Sequence, residues 1–108
     1  MKLSEASVRK FRITANQYEM FKFVITQREN LRIRMIATAP VNLVLLSSED
    51  RAEFEQFMLG SRSAYSYTTA WGRRSDLDTS FPIDPGTWYL LVEGNTEPSS
   101  GRVEILEE

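Results

Sequence analysis

The residues best placed to do chemistry are acidic. Asp76 and Asp78 form a D-x-D pair, with Asp84 nearby. At strand spacing both side chains of such a pair point to one face. Two carboxylates so arranged could hold calcium or act as the acid and base of glycoside chemistry. The same pair could instead be a polar strand start that shields a sheet edge. A second group is aromatic. Tyr65, Tyr67 and Trp71 fall at alternating positions, so a strand would set them on one face. Rings in a row stack on sugars or on single-stranded bases. The more ordinary reading is that they are core, packed against Trp88 and Phe81. A third group is basic. Arg73 and Arg74, with Arg62, lie beside the aromatic segment, and Arg28, Arg32 and Arg34 cluster on and beside another polar strand face. Cations beside aromatics mark nucleic-acid surfaces, and they also mark solvated charge that guards sheet edges.

Other chemistry is excluded by composition. The chain has no cysteine, so disulfides, thiolate nucleophiles and Cys-ligated zinc are ruled out. It has no histidine, which removes the commonest general base and metal ligand. No phosphate-binding loop, dinucleotide fingerprint or G-x-S-x-G elbow occurs. A serine nucleophile would need a lysine base, and Lys2, Lys10 and Lys22 sit in no such context. The expectation is a non-enzyme without a cofactor, and Asp76 and Asp78 are its only metal candidates.

These residues must be positioned by one domain. The chain has 108 residues, of which 42% are hydrophobic and 26% charged, enough for a core without staples. No stretch reaches the roughly 18 apolar residues of a membrane span. The opening MKLSEASVRKFR lacks the apolar run of a signal peptide, which points to the cytoplasm. Net charge is −2, so bulk electrostatics do not argue for nucleic acid, which is not the expected partner. The charge is uneven, however. Residues 1–34 carry eight Lys/Arg against three Glu, and the remainder five Arg against twelve Asp/Glu. These basic and acidic ends are either solvated surface or complementary within or between molecules.

Strand patterns dominate. Alternation marks Val8 to Ala15, Tyr18 to Thr26 and Leu31 to Thr38, and in the last Leu31, Ile33, Met35 and Ala37 oppose Arg32 and Arg34. Ala39-Pro40 reads as a break before Val41 to Leu46, a short apolar run expected to be buried on both faces. Ser47 with Asp50 resembles a capping box. A helix should follow, with Phe54, Phe57 and Met58 on one stripe, an Arg51–Glu55 pair, and Gly60 as its stop. Ala64 to Trp71 reads as a strand, Gly72 to Ser75 as a polar break, and Leu77 to Ile83 as a weaker strand. Asp84-Pro85-Gly86-Thr87 is a turn, with glycine at a position that needs positive φ. Trp88 to Glu93 is a strand with Trp88, Leu90 and Val92 inward; Gly94 to Ser100 is a loop; Gly101 to Leu106 is the last strand.

Eight short strands and one inserted helix, without strand–helix alternation, predict an all-β, antiparallel, jelly-roll-like β-sandwich. The runs PVNLVLLSSEDRAEF, FPIDPGTWYLLVEGN and GRVEIL resemble two groups of small sandwiches. One is the pre-peptidase C-terminal type, with its "L-L-S" strand end and "P-G-T-Y-Y-L-V-V" strand. The other is the GOLD type, with "G-x-Y-x-L-V-x-x-N". The matching positions are Pro85 to Val92, and the upstream Phe21-Lys22-Phe23 and Leu31 to Ala37 also fit. The resemblance implies a non-catalytic accessory or protein-interaction role and transfers no active site. The first functional expectation is therefore a protein-interaction module, with self-association through sheet edges as one form of it. The alternative is a carbohydrate- or other ligand-binding sandwich that uses the aromatic face.

Overall fold

The computed structural model describes residues 7–107. Lys2 and the opening of the basic N-terminal segment lie outside the described residues. Among the described residues six strands and one helix form: β1 (Ser7–Ile13), β2 (Tyr18–Ile25), β3 (Glu29–Ser47), α1 (Ser48–Met58), β4 (Thr69–Ile83), β5 (Gly86–Gly94) and β6 (Ser99–Glu107). The sheet is antiparallel throughout, in the order β1-β6-β3-β5-β2, with β4 also paired to β3. The all-β, sandwich-like expectation is borne out, with fewer and longer strands than the eight expected.

The difference lies in two places where punctuation residues sit inside strands. β3 has 19 residues and runs through Ala39-Pro40. Fully extended it would span roughly 60 Å, but the molecule's longest dimension is 42 Å. It must bend, and it does so where its register with β4 shifts between Ile36 and Val41. Proline is tolerated in sheets at such bulges. Similarly, Gly72 to Ser75 does not separate two strands, because β4 continues through it for 15 residues. The strain is taken up at Arg73, whose φ is 52°.

The bend makes β3 a member of two half-sheets. Its first half, Leu31 to Ala37, pairs with β6, and its second half, Val41 to Ser47, pairs with β5. β4 accompanies both halves along the opposite edge. The halves close on one core, in which Phe11, Leu31, Ile33, Met35 and Val103 meet Ile25, Leu43, Leu45, Leu90 and Val92. Asp84 and Pro85 lead from one half to the other, since β4 and β5 do not pair. Gly86 has the expected positive φ, 147°, and Trp88 Nε1 donates to the Asp84 carbonyl at 3.0 Å.

The bend also brings β6 very close to β3. A Cβ built on Gly101 would lie 2.0 Å from the Ile36 carbonyl oxygen. Only glycine fits there. Beside it, Ser99 is 3% exposed. Its hydroxyl accepts from the Ala39 N–H at 3.2 Å and donates to the Ala39 carbonyl at 2.7 Å. One side chain therefore stands in for the strand partner that residue 39 lacks at the bulge.

Val44, Leu46 and Leu91 face the other way, so this stretch of β3 is buried on both faces, as its continuous apolar pattern predicts. The cover is α1. Ser47 Oγ accepts from the Asp50 N–H at 3.1 Å, and the Asp50 carboxylate accepts from the Ser47 N–H at 3.1 Å, completing the capping box. At the other end Gly60 has φ 83°, its N–H donates to the Phe57 carbonyl, and the Ser61 N–H donates to the Gln56 carbonyl, a Schellman stop. The Arg51–Glu55 pair forms at 2.8 Å. The stripe is narrower than expected. Phe54 is buried and Phe57 packs beside it, but Met58 is 51% exposed.

Candidate functional site

The most open element of the described fold is β4. Like β1 and β2 it pairs on one side only among the described strands, and it carries the longest exposed run of any of them. Residues 72–76 are exposed without interruption. Beyond them alternation returns: Leu77, Thr79 and Phe81 lean toward the core while Asp76, Asp78 and Ser80 lie outward. The kink that exposes the middle of β4 is anchored from β3, where Asn42 Oδ1 accepts the Arg73 N–H at 2.9 Å.

A groove of about 500 Å³ lies at this kink. Trp71, Ile36 and Leu77 give it apolar wall, and Arg34, Arg74, Arg102, Asp76, Asp78 and Glu104 line it with charge. Most of these charges are engaged. Arg32 grips Asp78 with both arms of its guanidinium, at 2.9 and 2.8 Å. That hydrogen bonding, opposed by partial desolvation and helped by the charges of Arg32 and Arg34, lowers the Asp78 pKa from the usual carboxylate range. Glu104 lies 3.6 Å from Arg34 and 3.9 Å from Arg102. Arg74 and Asp76 differ. Neither forms an ion pair among the described residues, and both are exposed.

The acidic pair predicted from the sequence does share the outward face. It is not a bare pair, because Arg32 takes both Asp78 oxygens. Asp84 lies away from it, 3.7 Å from Arg28. Among the described residues no three carboxylates gather as a metal site would require. Each arginine of the cluster Arg28, Arg32 and Arg34 has a carboxylate within ion-pair distance, in Asp84, Asp78 and Glu104 respectively.

The aromatic row is a correction. Residues 64–68 are not strand, so Tyr65, Tyr67 and Trp71 share no common face. Hydrogen bonds from Ser66 Oγ to Glu53 and from Thr68 Oγ1 to Asp50 tie this segment to α1 instead. Tyr65 packs edge-on to Phe54 at 5.0 Å, and burial, with lesser contributions from Glu93 and Tyr67, raises its pKa. Tyr67 is 57% exposed. Trp71 belongs to the main core, 6.0 Å from Phe81. Arg62 reaches Glu53 at 3.0 Å. Arg73 and Arg74 are on β4, not in a loop. The groove thus gathers Trp71, Arg74, Asp76 and Asp78 and leaves out Tyr65, Tyr67 and Arg73.

Sequence reasoning missed Ser99, Asn42 and Glu93. Ser99 falls in what reads as a loop, and Asn42 reads as one polar residue in an apolar run. Glu93 is the next-to-last residue of β5, and its burial raises its pKa. No local pattern links any of them to the bend.

No family model matches the chain, and no curated protein does. Solved structures do match. The pre-peptidase C-terminal domain of a collagenase from Bacillus anthracis aligns with a TM-score of 0.68 at 13% identity, covering 92% of this chain and 87% of that one. A Yersinia pseudotuberculosis-derived mitogen aligns with a TM-score of 0.62 at 13% identity, covering 94% of this chain and 84% of that one. At such identity the likeness is one of fold. It bears out the resemblance to the pre-peptidase C-terminal type at that level.

Proposed function

We propose that this chain is a non-catalytic interaction module that receives an extended segment of a protein partner along the free edge of β4. The observation that carries this reading is that a 15-residue strand pairs on one side only, with its exposed middle beside a groove. An unpaired strand edge offers backbone N–H and C=O groups in a regular row, which is what strand addition uses. The groove beside it supplies what backbone pairing lacks, namely side-chain selectivity. Trp71 and Leu77 would read an apolar side chain, and Arg74 and Asp76 would read charge.

The fold analogy supports an accessory role, since one neighbour is a C-terminal domain of a collagenase. The non-catalytic part of the reading is supported by what the polar groups do. Asp78 is held by Arg32, and Glu104 sits between Arg34 and Arg102. Carboxylates so neutralised are structural.

A differential co-purification tests the proposal. Ser75 has no register partner in β3, so Ser75→Pro blocks the open edge and removes no described β3–β4 pair. Partners retained from the native host by the tagged wild type should be lost by Ser75→Pro, with circular dichroism unchanged. An identical set of partners on both proteins would overturn strand addition at β4.

A further inference from the structure

We propose that the segment received by β4 is β4 of a second copy of this chain, paired antiparallel about a two-fold axis at Ser75. This rests on reading the β4 edge as an interaction surface and names its occupant.

Charge and register together select this pairing. Arg74 and Asp76 flank Ser75, both are exposed, and neither has an ionic partner among the described residues. An antiparallel pair centred on Ser75 sets Arg74 of each copy opposite Asp76 of the other. Two ion pairs form from four charges that the single chain leaves unmatched. The neighbouring registers do not do this. Centring on Asp76 faces that carboxylate with its own copy, and centring on Arg74 faces two guanidiniums. Centring on Leu77 sets Asp76 against Asp78. Like charges directly opposite destabilise strand pairs, so the pattern selects one register out of four. The result is a closed, isologous contact of the commonest oligomer symmetry.

The surroundings agree. Ile36, 58% exposed, is the register partner of Asp76 on β3. The pairing would therefore bring an uncovered apolar side chain from each copy beside the seam. The twelve-to-five acidic excess beyond residue 34 does not oppose the contact, because the seam itself is neutral.

The experiment is a charge swap read by sedimentation velocity over micromolar to millimolar concentration. Wild type should dimerise. Arg74→Asp and Asp76→Arg should each weaken dimerisation by about 30-fold, since each turns two attractions into two repulsions. An equimolar mixture of the two variants should recover a heterodimer, because one chain then carries two acids on the seam and the other two arginines. The double variant, with the charges exchanged, should recover the homodimer. Circular dichroism on each variant verifies folding. A wild type that stays monomeric, or single variants that dimerise normally, or a mixture that fails to recover, would overturn self-pairing. A monomeric wild type whose partners are still lost with Ser75→Pro would overturn self-pairing alone and leave the edge reading standing.

Discussion

Ser99 shows how much rests on one hydroxyl. It satisfies both backbone groups of Ala39 across 60 positions of sequence. Ser99→Ala removes both hydrogen bonds and leaves a buried N–H and C=O without partners. It should lower unfolding free energy by about 1–3 kcal/mol in urea titration; a change near zero would mean that residue 39 is satisfied some other way. The sequence held half of this. Ala39-Pro40 signalled a disturbed strand, but nothing local could say that its cure sat at position 99. Glu93 makes a second prediction at this scale. Burial raises its pKa, so the fold prefers the neutral acid. A raised pKa gives stability that is fully present below the unfolded value and lost as pH rises through the folded one. Glu93→Gln should therefore raise Tm at neutral pH, and the gain should shrink to nothing as pH falls below the ordinary carboxylate range. A gain that persists unchanged in acid would contradict this.

At the scale of elements, what could be read was local. Both caps of α1 follow from three or four adjacent residues, and both formed as Ser47, Asp50 and Gly60 indicate. Ser47→Ala should cost about 1 kcal/mol. The alternation of Leu31, Ile33 and Met35 against Arg32 and Arg34 set the inner and outer faces of β3 correctly. What failed was continuity. Pro40 and the Gly72 to Ser75 segment read as breaks because proline lacks an N–H and glycine lacks a side chain, but a bulge accepts both. The aromatic row failed for a related reason. Period two places side chains on one face only if the backbone is extended, and α1 pulls residues 65–68 out of the strand. The bend itself depends on Gly101. Gly101→Ala would drive a methyl group into the Ile36 carbonyl, which is backbone and has little room to yield. A loss of about 3 kcal/mol or more in urea titration is expected. A loss under about 1 kcal/mol would mean that β6 and β3 can separate there.

At the scale of the molecule, the bend sets which surface is left open. It lets one strand serve two half-sheets, and their closure buries Leu31, Ile33, Leu43 and Leu45 completely. α1 then covers the outer side of one half through Phe54. β4, which accompanies β3 around the bend, has no described strand on its far side. Composition and net charge gave no view of this, because it depends on which strands pair. The D-x-D pair lies on that strand, with Asp78 held by Arg32.

Amide hydrogen exchange, residue by residue at a dilution where the chain is monomeric, tests the open edge most directly. The amides of β3 residues 31–36 and 43–45 and of β5 residues 88–93, which lie between neighbours, should be protected. β4 should alternate over residues 76–82, with protected amides facing β3 and rapidly exchanging ones facing outward. Uniform protection along β4, equal to that of β3, would mean that the edge is covered, and the account of β4 as a receiving surface would fail.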